Sequence, residues 1–355
     1  MNWEEWNMKS GQLSFNSAVS RDLLRRCWPL WGSYLLFLIL TFPLVLVSEL
    51  HNGSTMDSFP FFCKQKILQA GIVQAQAAIV VAILAVMVLF GYLYNSRGNT
   101  LMNSLPIRRE SLFLTVYLTG LVPLLLSQLL VMGIAMLLTM QYGIEALSFM
   151  KWLAFAAFGL ITFYGFAVFC AILTGNIVIL PAVYAVLNLT AVGFETCIRS
   201  CLSAIVYGMT YGKLHFSFLS PIVKLDNTVK ILSDHGEPRL EGLKVLAAYA
   251  AAGLLFSLFA MLLYRRRRME SVSDFVAIPI LKPIFRWCMG LGGAFLFATL
   301  VFDNFFEQAV FGTAAACLMG GLLLIGACLG WMIAEMMIRR TVRVFPLPWK
   351  GGTAF

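Results

Sequence analysis

Three histidines, eight cysteines and seventeen carboxylates are what this chain has for acid–base, nucleophilic or metal chemistry, and their spacing gathers none of them into a site. His51, His215 and His235 stand singly in polar stretches and read as loop residues. No H-E-x-x-H occurs, the pattern that sets two metal ligands and a base on one helix face, and no nucleophile elbow occurs. A G-x-x-x-x-G-K-[ST] phosphate loop is missing too, so the sequence carries no ATPase motif of its own. Cys197 and Cys201 are one helical turn apart. They could hold a metal or a disulfide partner elsewhere. They read more simply as packing residues, because side chains at i and i+4 diverge too far for a relaxed bridge. Cys170, Cys288, Cys317 and Cys328 fall in or beside apolar runs and read as small apolar residues.

The polar residues that interrupt apolar runs are more informative. Gln128 lies within one run, and Tyr184, Asn188 and Glu195 share a helical face if the helix around them continues, with Arg199 one turn further. Two readings stand: a substrate-facing stripe, or hydrogen-bonding glue between helices, worth under ~1 kcal/mol per contact in a bilayer. A membrane enzyme would show a set of His, Asp or Glu facing a cavity within its spans. The apolar runs contain no such set near mid-depth, which favours a conduit or gate over a catalyst. No enzymatic activity and no bound cofactor or metal is expected of this chain.

The elements that hold these residues are set by composition. The chain has 355 residues, 60% hydrophobic and 12% charged. A soluble domain is about 25% charged. With several apolar runs near the length that crosses a bilayer, this predicts an all-α, polytopic transmembrane bundle of about eight spans. The spans are expected at 28–47, 70–94, 111–138, 152–173, 177–192, 242–264, 284–302 and 309–334. With both termini placed in the cytoplasm, 17 of the 26 Lys and Arg fall inside and 9 outside. That is the bias that orients membrane proteins. The net charge of +9 is therefore read as membrane orientation and not as nucleic-acid binding.

Between the spans, residues 1–27 form a cytoplasmic lead-in. Phe15, Val19, Leu23 and Cys27 recur every fourth residue, which predicts an amphipathic helix lying on the inner membrane surface. Residues 28–192 carry spans one to five. Residues 193–241 read as an extracytoplasmic segment: a re-entrant or interfacial helix, too short and too charged for a span, then a polar loop with a turn at Ser233–Pro238. Residues 242–338 carry spans six to eight, and 339–355 a cytoplasmic tail. Gly312, Ala316, Gly320, Gly326 and Gly330 of span eight form a small-residue stripe. Such stripes let helices approach closely, across a dimer or within one subunit.

Two basic loops lie on the expected inner side. The first, 95–110, holds Arg97, Gly98, Leu101, Ser104, Leu105, Pro106, Arg108, Arg109 and Glu110. Ser96–Ser104 can form a short helix with Leu101 as an apolar peg, and Pro106 ends it. The second, 265–283, opens with Arg265, Arg266, Arg267 and Arg268. Ser104-Leu105-Pro106-Ile107-Arg108-Arg109-Glu110, followed by a span with Tyr117 and Gly120, resembles the loop between the second and third spans of ABC-2 type transporter permeases. The Ytr-like permeases of Gram-positive bacteria are the nearest in pattern. Tyr264–Ser271 with Asp274 and Leu281-Lys282-Pro283 resembles a later cytoplasmic loop of the same group.

The resemblance implies a permease subunit in a bacterial plasma membrane, coupled through 95–110 to a separate ATP-binding subunit. It implies two copies of that ATPase, a second permease copy or a sibling permease, and ATP and Mg held on the ATPase. It also implies an elbow role for the lead-in helix. Export of a peptide, lipid-like compound or drug, or a part in the cell-envelope stress response, would follow. The competing expectation is a non-transporting sensor or scaffold that binds a peptide or lipid at its outer segment.

Overall fold

The computed structural model describes residues 15–53, 59–104, 106–140, 144–205, 216–222, 224, 231–234, 237–240, 242–267, 281–305 and 313–339. The expected 339–355 tail lies outside these except for Arg339, as do Leu105, Arg268, Gly312, His215 and His235. Among the described residues, eight helical stretches are long and apolar enough to cross a membrane, the first of them Trp28–Ser48, which is broken at Phe42–Pro43. That is the pattern of a multi-pass membrane protein. The chain divides into two compact units, residues 1–186 with 221–273, and residues 187–220 with 274–355.

The first unit opens with α1 (Ser17–Arg26), capped by Asn16, whose side-chain oxygen accepts from the backbone N–H groups of Ala18 and Val19. It holds α2 (Trp28–Thr41), α3 (Pro43–Gly53) and α4 (Phe59–Leu89), then a 3-10 turn at Gly91–Tyr94. Next come α5 (Ser96–Asn103), α6 (Arg109–Thr139) and α7 (Ala146–Leu173). The helix α8 (Leu180–Ile205) starts in this unit and continues into the second. The first unit resumes with a hairpin of β1 (Ile231–Asp234) and β2 (Glu237–Leu240), and ends with α9 (Leu243–Arg266). The second unit holds the rest of α8, α10 (Leu281–Phe305) and α11 (Thr313–Arg339).

α7 is the axis of the first unit. Its apolar window is 67% buried, against 44% or less for every other span. Glycine makes this possible. A Cβ on Gly159 would stand 2.8 Å from the Cα of Ala75 on α4, and one on Gly253 of α9 would stand 2.7 Å from the Cα of Thr162. Without those side chains the three backbones touch, and dispersion contacts replace the hydrophobic drive that lipid does not supply. Phe42 stacks on Trp152 at 4.2 Å, seating the α2–α3 break against α7. Pro43 causes that break, because it has no N–H to continue the ladder. In the second unit Gly293 of α10 meets Gly326 and Gly330 of α11, where a Cβ on Gly293 would lie 2.8 Å from the Cα of Gly330. Further along, Ala298, Phe302 and Met319 close the same seam.

Several boundaries differ from the sequence expectation. Span two ends at Leu89 and not Tyr94, because Gly91–Tyr94 tightens into a 3-10 turn whose tyrosines are tied to other helices. Span four begins at Ala146, six residues early. Span five begins at Leu180, which places Pro181 in the first turn where its missing N–H costs nothing. The expected boundary at residue 193 is absent. α8 runs without interruption to Ile205, because Glu195 and Arg199 pair one turn apart at 2.5 Å and so the charge does not break the helix. The described fold is all-helical apart from one short antiparallel pair, Ile231–Asp234 with Glu237–Leu240, in which Ser233 faces Pro238.

The lead-in helix forms, but its inward face packs on protein. Leu23 and Cys27 are buried in the core of the first unit, and Ser20 accepts a hydrogen bond from the Thr119 hydroxyl on α6 at 2.9 Å. Thr115 of the same helix accepts from the Asn16 backbone N–H at 3.1 Å. Phe15 and Leu24 remain exposed.

Candidate functional site

The two basic loops, far apart in sequence, meet at one end of the first unit. α5 starts there, capped by the Asn95 side chain, which accepts from the Arg97 backbone N–H at 3.2 Å. Its glycine faces the preceding turn: a Cβ on Gly98 would lie 3.4 Å from the Cα of Tyr92. Leu101 points away and is 63% exposed. Arg97, Ser104, Pro106 and Arg108 are also exposed, while Arg109 and Glu110 are half-buried.

That difference follows from what they hold. Arg109 donates through Nη1 to the backbone oxygen of Arg267 at 3.2 Å, and Glu110 pairs with Arg265. The four-arginine run is therefore not a uniform basic patch. Arg265 serves as an ion-pair partner, and Arg266 is exposed. Arg267 is only 7% exposed and turns back into the protein. Its Nη1 donates to the carbonyl oxygens of Ala171 at 3.0 Å and Ile172 at 3.2 Å. Those carbonyls end α7, where a helix leaves acceptors unpaired and its dipole is negative. The guanidinium also lies over the Tyr94 ring, 5.9 Å from the centroid.

The tyrosines complete the junction. Tyr94 donates to Ala171 O at 3.0 Å and meets Thr174 Oγ1 at 3.4 Å, and Tyr92 donates to the Tyr264 hydroxyl at 3.3 Å. Burial pushes the Tyr94 phenol up to about 12, so it stays a donor at neutral pH. Burial lowers Arg267 from its ordinary value, opposed by the three tyrosines around it. Beneath this layer an aromatic column joins four elements. Phe90 meets Phe113 at 5.8 Å, Phe113 meets Tyr264 at 5.7 Å, and Tyr117 meets Tyr164 at 5.3 Å. Thus α5, α6, the end of α7 and the end of α9 are tied into one block. The sequence did not single out Arg267 from its neighbours, nor Tyr92 and Tyr94 at all. A tyrosine pair bracketing Leu93 before a polar loop was the available signal.

The in-span polar residues are placed as follows. Gln128 is buried and donates to the Tyr34 hydroxyl at 2.9 Å, linking α6 to α2. Tyr184 is buried and donates to Ile79 O at 3.4 Å on α4. Asn188 and Glu195 are buried in turn, so this face of α8 is covered along its length. The continuous helix puts Glu195 inside a span, about 22 Å along the axis from Leu180. Glu195, placed beyond span five by the sequence reading, is thus a single carboxylate four residues from the end of that span, with Arg199 as its counter-ion. Cys197 approaches Thr299 Oγ1 at 3.9 Å on α10 and is a packing residue there; the Cys201 side chain lies outside the described residues. Of the small-residue stripe, Gly326 and Gly330 face α10 within the chain, whereas Gly320 has nothing within 4 Å.

No family model, no curated protein and no solved structure matches this chain.

Proposed function

We propose that the chain is the membrane permease subunit of an ATP-driven transporter of the ABC-2 type, with ATP and Mg held by a separate ATPase. The observation that carries this reading is the exposed α5 peg mounted on the clamped block. α5 presents Leu101 outward, rests on Tyr92, and leads directly into Arg109 and Glu110. A partner that grips α5 therefore moves the ends of α6, α7 and α9 together, which is what a coupling element must do. A loop without such a mounting would absorb the displacement locally. In the proposed complex two ATPase subunits bind a pair of permeases at their α5 helices. Closure of the ATPases on ATP tilts the spans, and export of a peptide, lipid-like compound or drug across the bacterial plasma membrane, or a part in the cell-envelope stress response, is the expected outcome.

Leu101→Glu is the sharpest test, because the side chain is exposed and its change disturbs no described contact. Tagged wild-type and variant chains are purified from the native membrane in mild detergent, and co-purifying proteins are identified by mass spectrometry. An ATP-binding-cassette subunit is expected with the wild type, and at least tenfold less of it with Leu101→Glu at equal membrane abundance. If no such ATPase accompanies the wild type, or if the variant retains it fully, the reading is overturned. The sensor or scaffold reading then takes its place.

A further inference from the structure

We propose that the paired ends of α10 and α11 bind the phosphate of an anionic membrane phospholipid, with Arg286 and Arg339 as the cationic groups and Trp287 and Trp331 as the apolar wall. The site lies wholly in the second unit and does not depend on the ATPase reading. Its centre is Glu335, a buried carboxylate one turn before the end of α11. Glu335 lies 2.8 Å from Arg286 Nε and 3.4 Å from Arg286 Nη2, and it also accepts from Arg339 Nε. Two guanidinium groups thus share one carboxylate, and the cluster keeps one net positive charge. Glu335 orients both forks while engaging only part of each. The remaining N–H donors suit a phosphate, which guanidinium recognises through paired hydrogen bonds.

Depth and surroundings indicate a lipid. The apolar windows of these helices are Phe285–Phe302 and Cys317–Arg339, so the two arginines sit where apolar chain gives way to polar. Arg339 is 55% exposed and Arg286 34%, so both are within reach from outside the helix pair. Beside them the indoles of Trp287 and Trp331 meet edge to face, centroids 5.4 Å apart at 84°. They are 64% and 40% exposed, although burying them would be favourable in water. Exposed tryptophan beside arginine at a span end is the composition of a membrane interface. The Trp331 ring lies over Gly290 of α10, where a Cβ would make an ordinary contact with it at 3.8 Å. Trp331, Glu335 and Arg339 follow at four-residue steps on one face, about 12 Å from first to last. That span is comparable to a headgroup and the start of its acyl chains. Exposed Leu291, one turn from Trp287, and exposed Leu324, two turns from Trp331, continue the surface toward the apolar side. A zwitterionic headgroup brings its own cation and gains little from a net positive cluster, whereas an anionic one supplies the missing charge.

The purified full chain in detergent is titrated with phosphatidylglycerol, phosphatidylcholine or soluble glycerol phosphate, and its thermal unfolding midpoint is followed. Phosphatidylglycerol is expected to raise the midpoint by several degrees more than phosphatidylcholine, and glycerol phosphate to leave it unchanged. Arg339→Gln should weaken the apparent phosphatidylglycerol affinity about fivefold, and Arg339→Lys should recover part of it. Trp287→Ala, an exposed side chain, should weaken it without touching the ion pairs, and so serves even if the arginine variant fails to fold. Equal responses to the two lipids, or an undiminished phosphatidylglycerol response in both the Arg339→Gln and Trp287→Ala chains, overturns the site. Stabilisation by glycerol phosphate equal to that by lipid overturns it as well.

Discussion

Arg266 and Arg267 are neighbours of the same type, yet they do different work. Arg266 is exposed, while Arg267 is buried with its Nη1 on two carbonyls that end α7. Hydrogen bonds from a charged donor to buried acceptors contribute about 1.5–3 kcal/mol, and truncation would take this donor from both carbonyls, leaving Ala171 only the Tyr94 hydroxyl. Arg267→Met, which keeps the length but removes the donors, is therefore expected to destabilise the purified chain by about 2–3 kcal/mol. Arg266→Met should stay within about 0.5 kcal/mol, as exposed substitutions do. Thermal or denaturant unfolding in detergent compares the two, and equal effects would contradict the placement of Arg267. This contrast was not legible in the sequence. Four consecutive arginines after an apolar run announce an inner loop, but which one turns inward depends on where the helix stops. α9 ends at Arg266, and the extended backbone at Arg267 swings that side chain back over α7. Tyr94 was hidden for a related reason: it reads as the last apolar residue of a span, and its hydroxyl matters only because Ala171 lies beside it.

At the scale of elements, close helix contacts are made by pairs of small residues on different helices. Gly326 and Gly330 stood out in the sequence because they repeat on one helix. Their partner Gly293 did not, and neither did Gly165 with Gly253, because each is one half of a contact whose other half is far along the chain. The Cβ of an alanine at Gly253 would meet the backbone of α7 at Thr162, 2.7 Å from its Cα, and backbone cannot rotate away. Gly133 of α6 has nothing within 4 Å. Gly253→Ala should therefore lower the unfolding midpoint and the yield of monodisperse protein, by an amount like other overpacked sites, about 1–3 kcal/mol. Gly133→Ala should be neutral or stabilising by up to about 1 kcal/mol, since alanine is the better helix former. The opposite signs make the comparison informative: a loss at both positions would show that glycine is required for some reason other than close approach. The fifth span illustrates the complementary difficulty. Its charged end looked like a stop, and only the Glu195–Arg199 pairing one turn apart shows how the helix carries both.

For the whole molecule, the contacts of the first unit sort by end, and this makes the threading testable. At one end Tyr94, Ala171, Arg109 and Arg267 meet. At the opposite ends of α4 and α7, Lys64 pairs with Glu145 at 2.9 Å. The two sets could coexist only if α4 and α7 run the same way and α6 returns between them, which is the alternation that apolar runs and short loops led one to expect. The eight apolar stretches among the described residues were readable from run length alone, because roughly 20 apolar residues have few other uses. Orientation rests on a different argument, the concentration of Lys and Arg at 95–110 and 265–286. If that argument holds, the end bearing α5 faces the cytoplasm. In a cysteine-free background, single cysteines replace Leu101, Arg266 and Glu145, all exposed. A membrane-impermeant maleimide applied to intact cells should label the Glu145→Cys chain only. The Leu101→Cys and Arg266→Cys chains should react after the membrane is opened. Labelling of Leu101→Cys and Arg266→Cys in intact cells, with Glu145→Cys protected, would invert the molecule and remove α5 from reach of any cytoplasmic ATPase. Labelling of all three from one side would contradict the threading itself, because Glu145 and Arg266 would then have to lie at the same end of the bundle.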